Sequence, residues 1–168
     1  MKYFLQITLL LSITLLISCG DDDTDSPAAS GVSGSITFDG QSYAIASGVI
    51  NERTNAAGAE LEFLIADGTV SSSGSSSDSQ IILAIRAISE GTETIGSGSY
   101  EVSRQVNSQY AFVTVSTATA SNIRSIVGGT IDISGSGSTF SLTFNNVTFG
   151  GGIELTGSVS GTFENEKQ

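Results

Sequence analysis

From Gly34 onward, apolar and polar side chains alternate residue by residue through most of the chain. This period of two limits what the chain can fold into more than any other feature. Its clearest run is Ile153 to Phe163. Ile153, Leu155, Val159 and Phe163 fall on one face with Gly157 and Gly161, while Glu154, Thr156, Ser158, Ser160 and Thr162 fall on the other. Successive side chains of a strand point to opposite sides of a sheet, so the run reads as an antiparallel strand with one dry and one wet face. Phe140, Leu142 and Phe144 alternate with Ser141, Thr143 and Asn145. Leu61, Phe63 and Ile65 alternate with Glu60, Glu62 and the less expected Leu64. No window carries a helical stripe. The pattern predicts nine strands, at about 34–39, 41–51, 59–67, 79–89, 98–105, 109–119, 127–134, 138–149 and 152–164.

The connections point the same way. Asp39-Gly40 separates two alternating runs and is favoured in a tight type I′ hairpin turn, whose two central residues both need positive φ. Asp67-Gly68 and Gly150-Gly151-Gly152 also break strands. No gap holds a pattern long enough for the crossover helix that parallel strands use. The expected fold is therefore all-β: a single antiparallel meander of about nine strands, forming a β-sandwich or a lipocalin-like barrel. One Pro against 20 Gly, with no Trp or His, agrees with many tight turns.

Two central stretches have mixed faces. Ile81 to Ile88 is apolar on both sides apart from Arg86, and Val113 and Val115 oppose Tyr110 and Phe112. Such strands are covered on both faces or carry an apolar binding surface. Between strands, Ser71 to Ser79 is a polar Gly/Ser tract that reads as a long surface loop. Its functional readings are a ligand-covering flap or a glycosylation site; the plainer one is a disordered loop tip.

The N-terminus carries a separate signal. Lys2 precedes an apolar run from Tyr3 to Ile17, which ends in Leu16-Ile17-Ser18-Cys19 and is followed by Gly20 and Asp21-Asp22-Asp23. A positive start, an apolar middle and a small residue before the cut mark a secretory signal peptide. The run is shorter than the roughly 20 apolar residues of a membrane-spanning helix, and acids rather than Lys or Arg follow it. Leu16 to Cys19 resembles the lipobox of bacterial lipoproteins, which implies cleavage before Cys19 and lipidation of its sulfur. The acids Asp21, Asp22 and Asp23, with Asp25, resemble the surface-export signal of Bacteroidetes lipoproteins. That implies an outer-membrane protein, lipid-anchored and facing the cell surface; the plainer reading is a solvated tether. The expected organisation is a signal peptide over 1–18, an acidic tether over 19–33 with a reach of about 20 Å, a β domain over 34–165 and a tail over 166–168.

Charge and composition exclude several functions. Six basic residues against 17 acids give a net charge of −11, and loss of Lys2 would make it −12. Such a surface repels nucleic acid. With no His and one Cys, the common general base and the soft metal ligands are missing, and Ser-His-Asp and Cys-His arrangements are excluded. There is no phosphate loop and no calcium-loop pattern. Glu60 and Glu62 share a face, which reads as the wet face of a strand rather than a carboxylate pair for sugar hydrolysis. Asn146-Val147-Thr148 matches the glycosylation sequon, to which a bacterial lipoprotein lends little weight.

Tyr43, Tyr100 and Tyr110 are the candidate ligand-binding residues, since tyrosine joins an apolar ring to a hydroxyl that seeks water or a partner. The plainer reading places them at the rim of the core. The whole is similar to small β-rich Bacteroidetes lipoproteins, a likeness that implies no specific activity. The expectation is a non-enzymatic, membrane-anchored envelope module without cofactor or metal, binding a glycan, a peptide or an envelope protein. The alternative is a lipocalin-like carrier, which requires an enclosed apolar cavity of roughly 300–1,000 Å³.

Overall fold

Alternating β-branched and aromatic residues need a sheet with one buried face, and the chain forms one. A computed structural model describes residues 31–55, 58–76, 78–92, 94–102, 109–118, 120–122 and 126–165. The expected signal peptide, Cys19, the acidic run Asp21 to Asp23, most of the expected tether and the tail lie outside the described residues. Among those described there are twelve strands: β1 (Ser33–Phe38), β2 (Gln41–Ile45), β3 (Ser47–Asn55), β4 (Gly58–Ala66), β5 (Ile81–Glu90), β6 (Gly98–Val102), β7 (Gln109–Thr117), β8 (Ala120–Asn122), β9 (Ile126–Ser136), β10 (Thr139–Phe149), β11 (Ile153–Thr162) and β12 (Glu164–Asn165). They make one curled, open sheet in the order β12-β3-β4-β5-β7-β6-β9-β10-β11-β1-β2, with β8 beside β7.

All-β is therefore right, and the strict antiparallel meander of nine is not. The expected strand 41–51 is two strands, separated by Ala46 alone. β2 pairs with β1, whereas β3 pairs with β4, and the Ala46 N–H donates to the Ala66 carbonyl at 3.0 Å. The chain thus bends at Ala46 from one end of the sheet to the other. Phe163 makes a second such corner between β11 and β12, its N–H donating to the Ser138 carbonyl at 2.8 Å. The sheet is mixed because β6 runs parallel to β7 and β12 parallel to β3. Each parallel ladder is only two residue pairs long, so neither needs the helical crossover that a full parallel strand demands. β7 fills the place between β5 and β6, an order that alternation within single strands does not encode.

The inward faces meet in one apolar cluster that draws on strands all round the curl, from Ile36 and Phe38 of β1 to Leu155 and Val159 of β11. At its centre Phe63 of β4 meets Phe140 of β10 edge-on at 5.2 Å between ring centroids. Phe63 also meets Phe163 at 5.4 Å, and Phe38 meets Phe149 at 5.7 Å. Edge-to-face pairs at such separations contribute beyond their buried area. Curvature is supplied by glycines on the inward series of β11. Gly157 has φ +122 and Gly161 φ +143, and a Cβ at either would overlap a backbone carbonyl oxygen, of Ser35 or of Gly31. The turns follow their chemistry: Asp39 and Gly40 have φ 53 and 76, as a type I′ turn requires.

Phe63→Ala should lower unfolding stability by about 3–5 kcal/mol, because it removes the ring shared by two aromatic pairs and leaves a cavity. Denaturant unfolding checks this. Gly157→Ala, one methyl group, should destabilise more than Ala44→Gly at the exposed edge strand; equal midpoints would contradict the part given to Gly157 in the curvature of β11.

Candidate functional site

Alternation along β3 places Val49, Asn51 and Arg53 on the outer face and Ile50 on the inner, since Ile50 belongs to the central core and Val49 to a separate cluster. Glu52 shares the parity of Ile50, so a carboxylate stands on the inward series, opposite Leu61 of β4. It stands where the curl ends, and there the sheet opens into a cleft of about 280 Å³. One wall is the β3–β4 hairpin, with Glu52, Arg53, Thr54, Ala59, Glu60 and Leu61; the other is Thr94 and Ile95 with the β9–β10 turn at Ser136 and Gly137. Phe140 lies at the base of the turn and lines the cleft as well. The floor is apolar and nearly closed, with Leu61 2% and Phe140 5% exposed, and the rim is polar. Ligand sites have this composition.

Behind the cleft, on the outer face, two ion pairs cross. Arg86 is opposite Glu62 in register but bonds the diagonal Glu60, with Nη2 2.7 Å and Nε 2.9 Å from Oε1. Arg53 is opposite Glu60 and reaches Glu62 at 3.6 Å. Glu60 is 5% exposed, so the expected wet face is dry at this point and its charge is balanced by a guanidinium. Asn51 is buried, with Nδ2 3.4 Å from both Glu62 Oε2 and the Ser72 carbonyl. Its Oδ1 has no partner among the described residues.

The serine-rich segment covers the neighbouring part of this outer face. Asp67 Oδ1 accepts from the Gln80 and Ile81 N–H groups at 2.8 and 3.1 Å, which closes the base of the loop. Val70 packs on Val49, Leu64 and Ala66, with Ile82 and Ala84 beside them. The less expected Leu64, with Ile82 and Ala84 on the outer side of the Ile81–Ile88 run, lies under this strap.

The three tyrosines do not converge. Tyr43 is half-buried on edge strand β2 and packs against the core. Tyr100 is wholly buried, its hydroxyl donating to the Gly96 carbonyl at 2.8 Å. Tyr110 is buried on the outer face, edge-on to Phe112 at 5.4 Å. Reading the residues in order missed the cleft because the expected strand ended at 51. Carried to 55, the alternation would have set Glu52 on the same side as Ile50. No group of three or more His, Cys, Asp or Glu among the described residues could hold a metal ion, and no helix among them is long and apolar enough to cross a membrane.

Arg86→Met should cost about 1–3 kcal/mol by leaving the Glu60 carboxylate buried without its cation, and adding Glu60→Gln should restore part of it in a double-mutant cycle. Burial pushes the Tyr100 hydroxyl above its ordinary pKa of 10.0. The unfolded chain then loses this proton first, so the stability tied to it is complete below pH 10 and falls as pH rises through the higher folded value. Tyr100→Phe should flatten that alkaline fall in denaturant midpoints measured across the range. Compared with protein-family models, characterised proteins and solved structures, the chain matches none of them.

Proposed function

We propose that this protein is a lipid-anchored lipoprotein of the cell envelope whose β domain is a non-catalytic binding module, with the cleft at the open end of the curl as its site. The observation that carries the reading is the cleft itself: an apolar floor of Leu61 and Phe140 beneath a polar rim that includes Glu52. Binding rather than catalysis fits a chain without histidine, in which Glu60 and Glu62 are already paired with arginines. The carrier alternative has less support. The inward side chains, with Phe63, Ile65, Leu83, Ile131 and Leu142 at 0% exposure, fill the curl where a carried ligand would lie.

The anchor rests on Leu16 to Cys19, and the outer-membrane, surface-facing location on Asp21, Asp22 and Asp23. Two or three acyl chains on Cys19 would hold the protein stably, where one binds only marginally. The membrane is then the first partner, with a peptide, an envelope protein or a glycan as the second. A glycan has the weakest case. There is no Trp, Tyr100 and Tyr110 are buried, and Phe140 offers little of its ring for stacking.

Cys19→Ala should move the protein from the membrane to the soluble fraction without changing its circular dichroism; retention in the membrane would sink the anchor. For the cleft, peptide and oligosaccharide arrays should be probed with the wild type and with Ser136→Trp, which puts a large ring on an exposed rim position. Signals lost in Ser136→Trp support the cleft, and signals that survive place binding elsewhere.

A further inference from the structure

We propose that the cleft receives a lysine or arginine side chain from an extended peptide that adds as a strand to the edge of β3 beyond Ile50, which has no partner strand among the described residues. This rests on the reading of the cleft as the binding site and names its ligand.

Charge is the first argument. On the outer face behind the cleft, Glu60 and Glu62 are engaged by Arg86 and Arg53. Glu52 has no ion pair among the described residues and is exposed. One carboxylate is thus in excess, in a protein of net charge −11 that repels anions. Shape is the second. A volume of about 280 Å³ suits one long side chain. Lysine and arginine lay an aliphatic stem on apolar surface while keeping the charged head in water. Here Leu61, Ile95 and Phe140 would take the stem and Glu52 the head.

The third argument is the backbone. β12 pairs only with Val49 and Ile50. From Asn51 to Asn55, β3 is paired with β4 on one side and, among the described residues, with no strand on the other. An unpaired edge offers N–H and C=O groups to an incoming chain. Side chains of an added strand alternate, so every second one lies on the side of Glu52. Strand and cation together identify a polypeptide rather than a free amine.

The test is calorimetric titration of the full-length chain with a short threonine-rich peptide bearing one central lysine. The same peptide with norleucine and the blocked amino acid N-acetyl-lysinamide serve as comparators. The lysine peptide should bind about fivefold tighter than the norleucine peptide, the upper end for an exposed ion pair. Glu52→Gln should abolish that gap while leaving the circular dichroism spectrum unchanged. N-acetyl-lysinamide, lacking a strand, should bind far more weakly. Equal binding of lysine and norleucine peptides would overturn the cation and leave the cleft standing. A lysine preference that survives Glu52→Gln would overturn the role of Glu52. Equal affinity for N-acetyl-lysinamide would overturn strand addition. Failure of every peptide, while array ligands are still lost in Ser136→Trp, would overturn the peptide and keep the cleft. Lys167 follows the end of β12 by two residues in the sequence, so binding that emerges only in Lys167→Ala would assign the cleft to the chain's own cation and overturn an external ligand.

Discussion

Phe63 and Phe140 stand on strands that are five places apart in the sheet, yet their rings meet at 5.2 Å. Nothing in the hydrogen-bonded ladder between β4 and β10 brings them together; only the curl does. This contact, with Phe163 against Phe63, converts a long open sheet into an object with an inside. A flat sheet of the same strands would leave its apolar face to water and its edges open to other chains. Register supports the arrangement locally. Phe140 is flanked by Gly135 on β9 and Gly161 on β11, so the largest side chain lies between two neighbours that have none. Glycine is therefore not only a hinge here. It makes room for the ring that closes the curl.

Much of this was legible, and the part that was not has a physical reason. Alternation fixes which face a residue takes, and β10 and β11 lie close to where it put them. It also records corners, through changes of parity. Ile45 and Ile50 both reach the core although one is odd and the other even, because Ala46 takes up one residue in the bend. Phe144 and Val147 do the same across a register shift at Asn146, whose φ of 50 marks the bulge. Alternation does not say which strand lies beside which. The insertion of β7 between β5 and β6, and the two short parallel ladders, depend on pairings between distant segments. The chemistry of a tyrosine does not give its depth: Tyr100 is wholly buried in the core, not at the surface.

The outer face of β3, β4 and β5 shows how a strand with too many apolar residues on its second side is managed. Leu64 and Ala66 cannot all turn inward, since Phe63 and Ile65 already do. The strap from Asp67 to Gln80 lays Val70 over them, while the next row is covered by charge, with Arg86 on Glu60. A partly buried ion pair contributes little net stability, because desolvation offsets most of the attraction, whereas losing one partner is costly. The pair therefore acts chiefly as a constraint. It holds the β3–β4 hairpin, and with it Glu52 and Leu61, in a fixed relation to β5.

That constraint bears directly on the cleft. Its floor is made of core residues, so a ligand cannot reshape it without disturbing the contact between Phe63 and Phe140. A floor of this kind is preorganised, and little ordering remains to be done when a side chain enters. An exposed carboxylate, however, is worth at most about 1 kcal/mol against a cation when salt screens it. Glu52 alone can select a ligand but cannot hold one. Useful affinity has to come from a second source that costs little order, and a strand edge beside a rigid pocket is such a source. The acidic surface as a whole gathers cations without distinguishing them. The carboxylate on the inward series of β3 distinguishes them, because it stands over an apolar floor that a small hydrated ion gains nothing by entering.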